Sequence, residues 1–330
     1  MSQTTPSKPT DRLADGLAFE RPLLELEAKI QEIKGLARNT HLDLNGELVN
    51  LEHKLERKAT EIYNNLTAWE RVNVARHAER PLTSDYIQLM LDDFVELHGD
   101  RVFGDDRAIV TGLATMAGMS FMFIGHRKGK SVKDRLACNF GCAHPEGYRK
   151  ALAKMRLAEK LGLPIVTFIN TPGAYPGIGA EERGQAGAIA RNILEMFSLR
   201  VPVIAIVIGE GGSGGALGIG IGDRVGMLEH AYYSVISPEG CAAILWKSGE
   251  KTPEAAEALN LTSKDLLRLG LVDEVVSEPL GGAHRDVATT VQGVRAQLVR
   301  WLQELRAIPV DELLAQRHEK FRRMGVPDAS

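Results

Sequence analysis

Val201-Pro-Val-Ile-Ala-Ile-Val-Ile208 runs straight into Gly209-Glu-Gly-Gly-Ser-Gly-Gly-Ala-Leu-Gly218, and this junction sets the fold class. An apolar run rich in β-branched residues and bounded by turn signals predicts a strand buried on both faces of a parallel sheet. The glycines that follow carry no side chains to shield their amides. Ala216, Leu217 and Ile219 beyond them predict a helix packed closely on that sheet. A strand, a glycine-rich turn and a helix N-terminus together offer N–H groups to negative charge. The main chain is expected to supply the chemistry.

Three known patterns overlap in the turn. Gly209-x-Gly211-x-x-Gly214 matches a dinucleotide fingerprint, which also needs an acid at the end of a second strand about 20 residues on. The next strand-like run, Ala231–Ile236, ends in Ser237-Pro238 instead, which disfavours NAD. A phosphate-binding P-loop needs Gly-Lys-Ser/Thr, which this turn lacks. Gly211-Gly-Ser213-Gly-Gly215 matches a nucleophile elbow, with Asp273 and His284 later in the chain as triad candidates. A serine hydrolase or peptidase using Ser213 is therefore a rival reading, and a partner-binding scaffold is another. Packing alone would also explain glycines here, although so dense a cluster after a buried strand favours function.

The 330 residues accommodate one large domain with accessories, and 44% hydrophobic with 25% charged residues is ordinary for a globular chain. A formal net charge of −3 gives no global basic surface for nucleic acid. No apolar run is long enough to span a membrane, and the polar start lacks a signal-peptide core, so the chain reads as cytoplasmic. Three cysteines do not make a disulfide framework. Cys138, Cys142 and His144 lie close in sequence but lack the paired knuckles of a zinc site, so no metal is expected.

Residues 1–18 read as a flexible tail and 19–80 as a helical region, with apolar seams at Leu23–Ala37 and Leu48–Ile62 forming a hairpin. A third helix is expected from Thr83 or Ser84 to Leu97. Residues 81–330 form the main domain, opening with paired strands at 108–111 and 119–124 around a Met116–Gly118 turn. Gly125-His126-Arg127-Lys128-Gly-Lys130 then makes a compact basic loop suited to a phosphate-bearing ligand or to a solvated turn. From Pro145 helices and strands alternate. Leu163–Ile169 is a strand, Asn170–Gly179 a loop and 181–199 a helix. This unit repeats weakly at an offset of 38, pairing Pro164 with Pro202, Gly173 with Gly211 and Gly177 with Gly215. Two strand–loop–helix units side by side imply an α/β core with both loops at the carboxyl ends of the strands, edging one crevice. Capped helices begin at Ser237 and Thr262, a short strand spans 271–276, and two amphipathic helices close the chain near 286–306 and 310–323.

Phe168-Ile-Asn-Thr-Pro-Gly-Ala-Tyr-Pro-Gly177, Ala180-Glu-Glu-Arg-Gly-Gln185, Val207–Ala216, Tyr233–Cys241, Pro145–Lys150 and Glu278–Arg285 carry a family likeness. Over about Phe19–Arg306 the sequence resembles the α subunits of bacterial acetyl-CoA carboxylase carboxyltransferases. The resemblance implies a crotonase-like spiral of ββα units with an N-terminal helical hairpin and C-terminal helices. It implies transfer of a carboxyl group from carboxybiotin on a biotin carboxyl carrier protein to acetyl-CoA, forming malonyl-CoA for fatty acid biosynthesis. Gly214 and Gly215 would stabilise the biotin ureido oxygen; Gly211, Gly212, Gly173, Ala174 and Gly177 would shape the same crevice. His126, Arg127 and Lys128 would meet CoA phosphates or a partner. The partners implied are a zinc-ribbon β subunit in an α2β2 assembly, the carrier protein and biotin carboxylase. Asn170 stands where the family motif has aspartate, and Cys142 and His144 occupy a loop that is usually apolar and Pro-containing.

Overall fold

The computed structural model describes residues 17–40 and 44–325. The expected tail therefore lies mostly outside the described residues, but Leu17–Glu20 is a defined turn with Glu20 buried. The hairpin is present as α1 (Arg21–Thr40) and α2 (Asn45–Asn64), followed by α3 (Ala68–Ala75), whose Thr67 cap and Glu70 close a capping box.

The centre is an eight-stranded sheet. Helix α4 (Thr83–Met90) stops short of the expected end at Leu97, because Leu91 turns extended and Asp93–Glu96 becomes edge strand β1. Pairing with β2 (Ile109–Met116) overrides the local helical pattern there. A tight turn at Ala117–Gly118, both with positive φ, leads into antiparallel β3 (Met119–His126). After α5 (Val132–Ala137) and α6 (Pro145–Leu161), strand β4 (Ile165–Thr171) runs parallel to β3. The expected helix at 181–199 is broken by Gly184 at φ 81° into α7 (Ile178–Glu182) and α8 (Gln185–Ser198).

Strand β5 (Val203–Gly212) lies at the core and is buried along its whole length. It is longer than the sequence predicts, since Gly209–Gly212 continue the strand instead of forming a loop. Helix α9 (Ser213–Leu217) follows at once. Parallel strands β6 (Arg224–Leu228) and β8 (Glu274–Val276) extend the sheet, while β7 (Tyr232–Ser234) pairs with the glycine end of β5. Between β7 and β8 lie α10 (Pro238–Leu245), capped by Ser237, α11 (Thr252–Ala258) and α12 (Ser263–Arg268), capped by Thr262. Helices α13 (Val287–Arg306) and α14 (Val310–Arg323) end the described chain. Arg317 of α14 is buried, pairing with Asp223 at 2.7 Å and donating to three backbone carbonyls. No helix among the described residues is long and apolar enough to cross a membrane.

The repeat is real in space but shorter than the sequence implies. Ile165 to Ile169 face Val203 to Val207, the same 38-residue offset, and then a bulge shifts the register so that Thr171 faces Gly211. The equivalences of Gly173 with Gly211 and Gly177 with Gly215 are lost at this step. The two loops do not edge an open crevice as mirror images. They pack directly on each other.

Candidate active site

A side chain at Gly215 would place its Cβ 2.5 Å from the Gly173 carbonyl carbon and the Ala174 nitrogen. One at Gly212 would overlap the Pro172 carbonyl. Only glycine permits this approach, so the first loop buttresses the start of α9. Gly214 differs, since its nearest neighbours would be Ile189 methyls at 3.8 Å. As the second and third residues of α9, Gly214 and Gly215 have no intrahelical acceptor, and neither amide meets another protein acceptor among the described residues. Two adjacent donors on a buttressed turn fit an oxyanion. Gly211 sits deeper, against Tyr233, and Gly177 lies against Tyr175 in the first loop.

The elbow reading does not assemble. Ser213 is exposed, with φ 54°, and bonds to no histidine or acid among the described residues. Asp273 accepts from the Val225 amide and pairs with Lys320 at 2.8 Å. His284 faces Glu20 at 3.4 Å and stacks on His77. The Cys138–Cys142–His144 set forms no metal cluster either, with His144 stacked on Tyr175 and bonded to Asn139.

The basic loop is folded partly inward, with His126 buried, Arg127 and Lys128 half-buried and Lys130 exposed. His126 is fully buried, and burial pushes its pKa down to about 3. Arg127 pairs with Glu96 at 3.2 Å, and Lys128 is ion-paired with Glu210. Sequence reasoning missed Glu210 itself, although an acid inside a buried apolar strand is a signal. Its carboxylate accepts from Arg76 at 2.7 Å and from the Tyr232 hydroxyl at 2.8 Å, and Arg76 reaches on to Glu239. Burial opposes ionisation of both partners and depresses Lys128, yet for Glu210 the two cations win and hold the carboxylate below its usual range. Asn170 Oδ1 accepts from the Glu210 amide at 3.1 Å, so the neutral residue supports the second unit by a bond that needs no charge.

Comparison with known proteins matches residues 16–325 to the family described as acetyl co-enzyme A carboxylase carboxyltransferase-like. Acetyl-coenzyme A carboxylase carboxyl transferase subunit α of Rhodopirellula baltica is 56% identical over 94% of this chain and 97% of its own length. The protein of the same name from Bacillus cereus is 53% identical, over 94% and 95%. Among solved structures, the transcarboxylase 12S core is 22% identical at a TM-score of 0.53, covering 66% of this chain and 42% of that one. A Pseudomonas malonate decarboxylase hetero-tetramer is 18% identical at 0.55, covering 67% and 91%. The structural likenesses carry the crotonase-like fold. The chain belongs to the family of acetyl-CoA carboxylase carboxyltransferase α subunits.

Proposed function

We propose that the chain transfers a carboxyl group from carboxybiotin on a carrier protein to acetyl-CoA, giving malonyl-CoA, and that it acts through main-chain amides. Family membership supports the reaction, and the Gly214 and Gly215 amides, which meet no protein acceptor among the described residues, support the role of this chain in it. Carboxybiotin supplies the carboxyl group, and negative charge grows on its ureido oxygen as that group leaves. The Gly214 and Gly215 amides are placed to stabilise such an oxygen without moving, because Gly173 and Ala174 hold the turn from behind. Preorganised donors of this kind need no nucleophilic side chain, in keeping with the isolation of Ser213.

A thioester oxygen that becomes enolate-like needs donors of its own. We assign these to a zinc-ribbon β subunit, with the active assembly containing both chains as α2β2; biotin carboxylase recharges the carrier. The test is to purify this chain without partners and supply carboxybiotin and acetyl-CoA, then add the β subunit. Malonyl-CoA is expected only after the addition. Formation at the full rate by this chain alone would overturn the shared site.

A further inference from the structure

At the carboxyl ends of parallel strands β3, β4 and β5, where open α/β sheets place their ligands, lies a crevice of ≈ 240 Å³. Its lining includes Arg76, Arg80, Lys128, Arg135, Asn170 and Glu210. The charges there nearly cancel. Arg80 is held by Glu278, Arg76 is shared between Glu210 and Glu239, and Lys128 pairs with Glu210. Arg135 is left over: half-buried, it has no ion pair and no side-chain hydrogen bond among the described residues. Asn170 is buried, and with Oδ1 engaged by Glu210 its Nδ2 donates to no protein acceptor among the described residues.

The rim is strained as well. The strain is at Phe140, whose φ of 55° lies between those of Asn139 (47°) and Gly141 (88°), residue types that tolerate this region, and Phe140 is 52% exposed where it lines the crevice. Strain of this kind is retained where the surroundings fix it, and it clusters at ligand sites. One surplus guanidinium and one free amide donor under an aromatic rim suit a small planar anion. The volume is below the usual range for whole ligands, which favours a small group over an entire nucleotide.

We infer that this crevice binds a small monoanionic carboxylate, with Arg135 as its charged anchor. Identifying that carboxylate with the carboxyl group in transfer rests on the proposed function. Arg135 is then a positioning residue for the carboxyl donor.

The probe is [13C]formate, followed by line broadening with the full-length chain. Saturable broadening is expected, weakened roughly tenfold by Arg135→Gln and partly restored in Arg135→Lys. Arg268→Gln removes an equal charge from a surface pair and leaves binding unchanged. Thermal midpoints confirm that each variant folds. Equal formate affinity in wild type and Arg135→Gln, or tighter binding of sulfate than of formate, overturns the site. In the complex with the β subunit, Arg135→Gln should raise KM for the carboxyl donor roughly tenfold, with kcat and KM for acetyl-CoA retained. Formate binding lost without that KM change overturns the assignment to the transferred group. A wild-type complex that makes no malonyl-CoA defeats the proposed function, while the formate titration still judges the crevice.

Discussion

The two strand–turn–helix units of this chain share a register for five residue pairs, Ile165–Ile169 with Val203–Val207, and then diverge. The first unit bulges out into a long loop that ends in two helices broken at Gly184. The second continues as strand through five further residues, Ile208 to Gly212, and enters α9 without a loop. One unit buttresses the other, whose proposed part is to present donors. The contact between them is glycine against backbone, so neither can be altered at that seam without moving the other. The second unit also carries a buried acid, Glu210, tied to Arg76, Lys128 and Tyr232. Asn170 of the first unit accepts from that acid's amide.

Breaking the seam should have the largest effect. Gly215→Val drives a side chain into Gly173 and Ala174 and displaces a donor, so turnover of the assembled complex should fall by at least ~10²-fold, the usual loss for one oxyanion donor. Native mass of the complex checks that assembly survives, and full turnover in a folded variant would contradict the assignment.

Removing the acid of the second unit tests stability. Glu210→Gln leaves Lys128 and Arg76 without their shared carboxylate, which should cost about 3 kcal/mol in denaturant unfolding. Wild-type stability would mean the cations find other partners.

Acid stability sharpens the comparison from outside the seam. Burial lowers His77 to about 4 and His126 to about 3, from an ordinary 6.5. Both are neutral in the folded chain, while the unfolded chain takes up their protons near 6.5. Their contribution is therefore complete above pH 6.5 and is lost as pH falls toward 4 and then 3. His77→Gln should reduce the slope of stability against pH by one proton across the upper part of this window. An unchanged slope would place that proton elsewhere.

The smallest effects belong to positions with room. Gly214→Ala keeps its N–H and, among the described residues, meets only Ile189 at 3.8 Å, and Ser213→Ala removes a hydroxyl with no partner among them, so each should stay within about threefold of wild-type turnover. A collapse of activity in folded Ser213→Ala would revive the hydrolase reading.

The parallel core, the hairpin, the capped helices and the 38-residue repeat were all legible, because apolar runs and caps are local signals. The edge strand Asp93–Glu96 was not, since its pairing with Gly112–Thr115 decides it and no local pattern does. Nor was the fate of Gly209–Gly212: glycines read as a turn, yet here their missing side chains let Pro172 and Tyr233 close on an unbroken strand. The proposed amide donors, Gly214 and Gly215, are pointed to by the family likeness and the glycine spacing together. Arg76 and Tyr232 reach this region from distant segments, and nothing in their sequence neighbourhoods marks them, whereas Arg135 follows the basic loop by five residues.

The proposed part of the second unit is played by its main chain. Replacing Gly214 by glycolic acid turns its N–H into an ester oxygen and adds no side chain. That amide donates to no protein acceptor among the described residues, so the fold loses no bond. Carboxyl transfer by the complex should drop ~10²- to 10³-fold at an unchanged thermal midpoint. Wild-type turnover from the folded ester would contradict the account.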